Sequence, residues 1–106
     1  MSGTSGTKVG VWVTLTLKPG MRDEAAAAIN EALEAVKGEA GTLVYVLNAD
    51  AADENLLHFY EVYDSQESMN AHMGSDWFKA FSPKLVPFLG GAPKFQMLAP
   101  LGGKGI

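Results

Sequence analysis

The chain has 106 residues, enough for one domain with its own core and too few for two. Hydrophobic residues make up 47% and charged residues 19%, an ordinary globular mixture rather than that of a disordered chain. A net charge of −4 offers no basic surface for nucleic acid, and the lack of cysteine excludes disulfides, thiolate metal sites and cysteine catalysis.

The opening MSGTSGTK has neither the apolar nor the basic region of a signal peptide. No apolar run approaches the roughly 20 residues of a membrane-spanning helix. A soluble, cytoplasmic protein that binds neither membrane nor nucleic acid is expected. Residues 1–7, rich in Gly, Ser and Thr, are expected to be a flexible tail, native or a remnant of expression. Residues 8–100 should form the domain and 101–106 a second tail.

From Val9 to Leu17 every odd position is apolar, the period-2 pattern of a strand, and Pro19-Gly20 ends it in a turn. Met21 to Lys37 reads as an alanine-rich helix. Asp23 and Glu24 suit its first turn, Ala25, Ile29, Ala32, Leu33 and Val36 form its buried stripe, and Gly38 is its expected C-cap. Glu31 and Glu34 lie off that stripe and should be solvated. Thr42 to Asn48 is a second strand, and residues 49–55 form a link too long for a two-residue hairpin.

Leu57 to Tyr63 alternates again. Leu57, Phe59, Glu61 and Tyr63 share one face and His58, Tyr60 and Val62 the other. Asp64 is the expected N-cap of the next helix, with Glu67 completing a capping box. That helix carries His72 and breaks at Gly74. Ser75 or Asp76 caps another run bearing Trp77, Phe78 and Phe81, and Pro83 and Pro87 bound its end. Lys94 to Leu98 is a short fourth strand. Met69, Met73 and Met97 read as fillers of core gaps.

The order β-α-β-β-α-β predicts an α+β, ferredoxin-like fold, a four-stranded antiparallel sheet with the helices on one face. The other face would then show Trp12, Val44, Val46, Tyr60 and Val62, an apolar patch larger than soluble monomers usually expose. A homodimer packed sheet against sheet is therefore expected.

Several pieces taken together carry a resemblance. F-Y-E-V-Y-D-S at 59–65, A-H-M-G-S at 71–75 and F-K-A-F at 78–81 follow K-P-G at 18–20 and E-A-G-T-L-V-Y at 39–45. In this order and spacing they resemble the signature of the antibiotic biosynthesis monooxygenase (ABM) domain family, which includes quinol monooxygenases. The resemblance runs from about Val9 to Pro100. It implies a dimeric α+β barrel and a monooxygenase that needs no metal or organic cofactor, acting with O₂ on a quinol or other aromatic phenol. Many relatives carry a second histidine where this chain has Trp77, which weakens any transfer of a two-histidine mechanism. Haem-degrading relatives order their tryptophan and histidine differently and carry an asparagine in the first strand, so haem ranks low.

His72 is the expected base, since an imidazole with an ordinary pKa of about 6.5 can take or give a proton at neutral pH. Read by its type alone, it could equally be an idle, partly exposed helix residue. Glu61 points into an apolar layer. A buried carboxylate there needs a partner, and it serves either as an acid/base or orienting group or as a purely structural acceptor. Tyr45, Tyr60, Trp77 and Phe81 are the expected walls of a substrate slot, although aromatic residues fill cores by default. The alternatives to an oxygenase are an isomerase of a small keto or sugar-derived compound and a dimer that binds a ligand without turnover. The two histidines and the acidic residues show no metal-ligand spacing, and no Gly-rich phosphate loop is present.

Overall fold

In the computed structural model, residues 7–106 are described. Four strands, β1 (Val9–Thr16), β2 (Thr42–Ala49), β3 (Leu56–Tyr63) and β4 (Lys94–Leu98), alternate with helices α1 (Arg22–Ala35), α2 (Gln66–Met73) and α3 (Asp76–Leu85). The strands form one antiparallel sheet in the order β2-β3-β1-β4. The fold is ferredoxin-like, as the order of elements predicts. Up to residue 6, the expected N-terminal tail lies outside the described residues.

The registers place Tyr45, Glu61, Val11 and Met97 in one row across the sheet, and Leu47, Phe59, Val13 and Phe95 in the next. Successive strand residues alternate faces, so both rows look towards the helices. Val11, Val13, Leu15, Leu57, Phe59 and Tyr63 bury there against Ala25, Ile29 and Ala32 of α1 and Phe81 of α3. The alanines of α1 let its backbone lie close to the sheet. Leu33 is only partly buried at the edge of that stripe.

Four local details differ from the sequence reading. The C-terminal end of α1 tightens into a 3₁₀ turn over Val36–Gly38, so Gly38 lies within helical structure and Glu39 follows it in extended conformation. Ser65, not Asp64, caps α2: its hydroxyl accepts from the Ser68 amide at 3.1 Å, and Glu67 stays exposed. Asp64 instead accepts from the Ser65 and Ser68 hydroxyls. Pro83 lies inside α3 rather than ending it. Met73 and Met97 are exposed and line a cavity rather than being buried in the core. The expected solvated glutamates, Glu31 and Glu34, form surface pairs with Lys84 and Lys37.

Among the described residues no helix covers the opposite face of the sheet. Trp12 and Val46 are 36% and 46% exposed there, beside the partly buried Val44 and Tyr60. Val62, expected in the same patch, is fully buried. Its neighbour across the sheet is Gly10, and a side chain at Gly10 would meet Leu98 and Pro100, so the chain after β4 folds over that corner.

Candidate functional site

Between the sheet and helices α2 and α3 lies a cavity of about 460 Å³. Val11, Val13, Phe59, Phe81, Leu85 and Phe95 supply much of its wall. Its polar groups are few: Tyr45, Glu61, Tyr63 and His72, with Ser82 spending its hydroxyl on the Phe78 carbonyl at 2.9 Å. Cavities of this size and lining are the usual form of small-molecule sites.

His72 comes from the last turn of α2 and is 3% exposed. It is therefore buried, not the partly exposed helix residue that its type alone allowed. Four aromatic rings, those of Tyr45, Tyr63, Trp77 and Phe78, surround the imidazole at centroid distances of 5.3, 5.2, 5.2 and 5.0 Å. Its Nδ1 lies 2.8 Å from Oε1 of Glu39. An ionised carboxylate only accepts, so Nδ1 carries the proton and Nε2 is the nitrogen left for a ligand.

Glu39 reaches His72 because of the turn that holds it. The Thr42 amide donates to the Glu39 carbonyl, and the Asp64 amide donates to the Gly41 carbonyl. A side chain at Gly41 would run into the Ser68 hydroxyl, so glycine there lets α2 approach. Thr42 Oγ1 donates to Glu39 Oε1 at 2.7 Å, and Trp77 Nε1 donates to Oε2 at 2.7 Å. Burial opposes the charge of Glu39, but hydrogen bonds from His72, Thr42 and Trp77 outweigh it and hold the carboxyl below its ordinary range.

Glu61 projects from β3 to the same end of the cavity and is 8% exposed. Its Oε1 accepts from the Tyr63 hydroxyl at 2.6 Å. Burial pushes the Glu61 carboxyl up, and the Tyr63 hydrogen bond only partly offsets it. Burial, together with the charge of Glu61, likewise raises the phenols of Tyr45 and Tyr63, which stay protonated donors. Two carboxyl groups beside one imidazole are thus pushed in opposite directions.

Of the six residues singled out in the sequence, His72, Glu61, Tyr45 and Phe81 line the cavity together. Tyr60 does not. It stands on the open face of the sheet, 6.1 Å from the ring of Trp12, because neighbouring strand positions point oppositely. Trp77 does not line the cavity either; its indole lies behind His72, tied to Glu39. Glu39 was missed by sequence reasoning, being separated from His72 by 33 positions. Its one signal was its place at the head of E-A-G-T-L-V-Y. Among the described residues, no three His, Cys, Asp or Glu side chains cluster as metal ligands would.

The model of the antibiotic biosynthesis monooxygenase family matches residues 9–84. The chain belongs to the ABM family. A provisionally named antibiotic biosynthesis monooxygenase from Caulobacter crescentus has 28% sequence identity and a TM-score of 0.84, with 92% of each chain covered. Another, from Chloroflexus aurantiacus, is 27% identical with a TM-score of 0.78, covering 93% of this chain and 98% of its own. A conserved protein from Methanosarcina mazei shares the fold at 21% identity and a TM-score of 0.83, over 90% of this chain and 94% of its own. No curated protein matches the chain. Membership of the ABM family points to monooxygenase-type or related small-molecule chemistry. Among the described residues no helix is long and apolar enough to cross a membrane.

Proposed function

We propose that this ABM protein is a cofactor-independent monooxygenase acting with O₂ on a quinol or other phenolic aromatic compound. The observation that carries this reading is the cavity: an apolar slot with His72, Glu61, Tyr45 and Tyr63 gathered at one end. Such a slot suits a flat apolar body with one hydroxylated edge. No Lys or Arg lines it. A sugar-derived keto compound would leave several hydroxyls unpaired against its walls, at about 1–3 kcal/mol each.

Nε2 of His72 takes the phenolic proton, and the anion formed is electron-rich enough to react with O₂. Carbon–oxygen bond formation gives a hydroperoxide on the ring, and loss of water from it leaves a carbonyl. One oxygen atom stays on the product and the other leaves as water, with the proton of His72 returned to it. All four electrons taken up by O₂ come from the substrate. The phenol of Tyr45 donates a hydrogen bond to an oxygen of the substrate, while Tyr63 spends its one O–H on Glu61, which holds that end of the cavity. Phe81 and the apolar wall keep water out while the anion exists.

The protein acts as a homodimer joined through the open sheet faces. Exposed Trp12 and Val46, beside the partly buried Val44 and Tyr60, support this. The test is oxygen uptake with a panel of quinols and polyphenols, measured above a no-protein control because such compounds autoxidise. Saturable uptake that falls in His72→Ala is expected. Ligand-induced stabilisation without uptake would replace the oxygenase with a binding protein, and product formed without O₂ would replace it with an isomerase.

A further inference from the structure

His72 stands in a partition. The apolar cavity lies on one side of it, and on the other is a second cleft of about 420 Å³ lined by Glu39, Gly41, Thr42, Ser68, Ser75 and Trp77. His72 borders both spaces, whereas Glu39 borders the outer one and not the cavity. A carboxylate offers about four acceptor positions on its two oxygens. Three are filled here, by donors from α2, the start of β2 and α3: His72 Nδ1 at 2.8 Å, Thr42 Oγ1 at 2.7 Å and Trp77 Nε1 at 2.7 Å. Donors arriving from three elements leave the carboxylate little freedom to turn. Its charge is thus fixed behind the imidazole and kept out of the substrate space.

We propose that Glu39 is the positioning residue of the site, holding His72 with its proton on Nδ1 and its Nε2 lone pair towards the cavity, and that Trp77 and Thr42 clamp Glu39 in that pose. This rests on the reading of His72 as the base. Glu39 touches no substrate and acts through the imidazole. When Nε2 takes a proton, the ring becomes a cation and Glu39 its counter-ion, with no change of position. The groups facing the imidazole are Glu39, Tyr45, Tyr63, Trp77 and Phe78, with Glu61 joined through Tyr63. Glu39 is the one that accepts from it.

The deciding measurement needs no turnover. In protein labelled with ¹⁵N at histidine, the nitrogen shifts of His72 should report the Nδ1–H tautomer in the unaltered chain. Glu39→Ala should spread the ring over both tautomers, and Glu39→Gln, which keeps the shape if the alanine variant folds poorly, should lower the Nδ1–H share. With a turned-over quinol, Glu39→Ala should lower kcat at least about 10-fold, the scale for partners that orient a histidine, and change KM less than about threefold. Acetate entering the outer cleft should restore part of the rate to Glu39→Ala and none to His72→Ala. An unchanged tautomer in both Glu39 variants would overturn the proposal. If no quinol is oxidised, the oxygenase reading falls, while the nitrogen shifts still decide the role of Glu39.

Discussion

On each side of the sheet one histidine is paired to a carboxylate, and the two pairs differ in their surroundings. On the open face, His58 Nε2 lies 2.7 Å from Asp50 and its Nδ1 lies 3.0 Å from the Thr14 hydroxyl. Asp50 also accepts from the amides of Ala52 and Asp53, so this pair ties the β2–β3 link to the sheet. Both nitrogens of His58 are spent on the protein. On the helix side, His72 gives one nitrogen to Glu39 and borders a cavity. The distances are almost the same. What separates the two histidines is the partner of the second nitrogen and the space beside it.

Substituting the two histidines should break the comparison most widely. His72→Ala is expected to lower quinol oxidation by about 10²- to 10⁴-fold, the usual contribution of a general base. His58→Ala should leave the rate within about threefold, yet destabilise the fold by about 1–3 kcal/mol through the partners it leaves unpaired. Parallel steady-state kinetics and denaturant melts read both; equal losses of rate would erase the distinction.

Val46→Glu places a charge on the open face, at the edge strand β2, and is expected to convert a dimer to monomer. Light scattering coupled to gel filtration measures this, and an unchanged mass would remove the sheet-to-sheet dimer.

Glu61→Gln keeps an acceptor for the Tyr63 hydroxyl while removing a carboxyl that burial pushes up. For a raised carboxyl the stabilisation is complete below its unfolded value and is lost as pH rises through the folded one. The variant should therefore melt higher than the parent at neutral pH, by about 4–8 °C per kcal/mol recovered, and lose that advantage in acid. Turnover should fall at the same time, the trade between stability and function expected of an acid/base group. A variant that melts lower at pH 7 would mark Glu61 as a charged structural anchor.

The smallest effect expected lies on the open face. The His58 contact, then the Ala52 and Asp53 amides, hold the Asp50 carboxyl down to about 2 from an ordinary 3.8. The folded value is the lower one, so the stabilisation is complete above 3.8 and drains away as pH falls towards about 2. Asp50→Asn should flatten the stability profile in that acid window and leave neutral kinetics alone. Urea midpoints between pH 2 and 5 measure the slope.

Much of the scaffold could be read from local pattern. Period-2 alternation marked all four strands, and their parity placed Glu61 on the helix side, with Val11 and Phe59 and away from Tyr60. The ordered run of E-A-G-T, F-Y-E-V-Y-D-S and A-H-M-G-S pointed to the ABM family. These are short-range properties, in which a residue and its neighbours two to four places away decide the outcome. The N-cap of α2 was misjudged by one position because Asp64 and Ser65 both suit a cap, and only the backbone path between strand and helix selects Ser65.

Tertiary structure decided the rest. The contacts of Glu39 with His72 and Trp77 span 33 and 38 positions. No periodicity reports a contact that exists only once α1, β2, α2 and α3 have docked. Docking also took Trp77 out of the expected slot, because its indole N–H found a carboxylate behind the histidine. The amino-acid order by itself determined the sheet, its two faces and the family. Which histidine borders the cavity was decided by packing, since that depends on which donors and acceptors the fold leaves unspent.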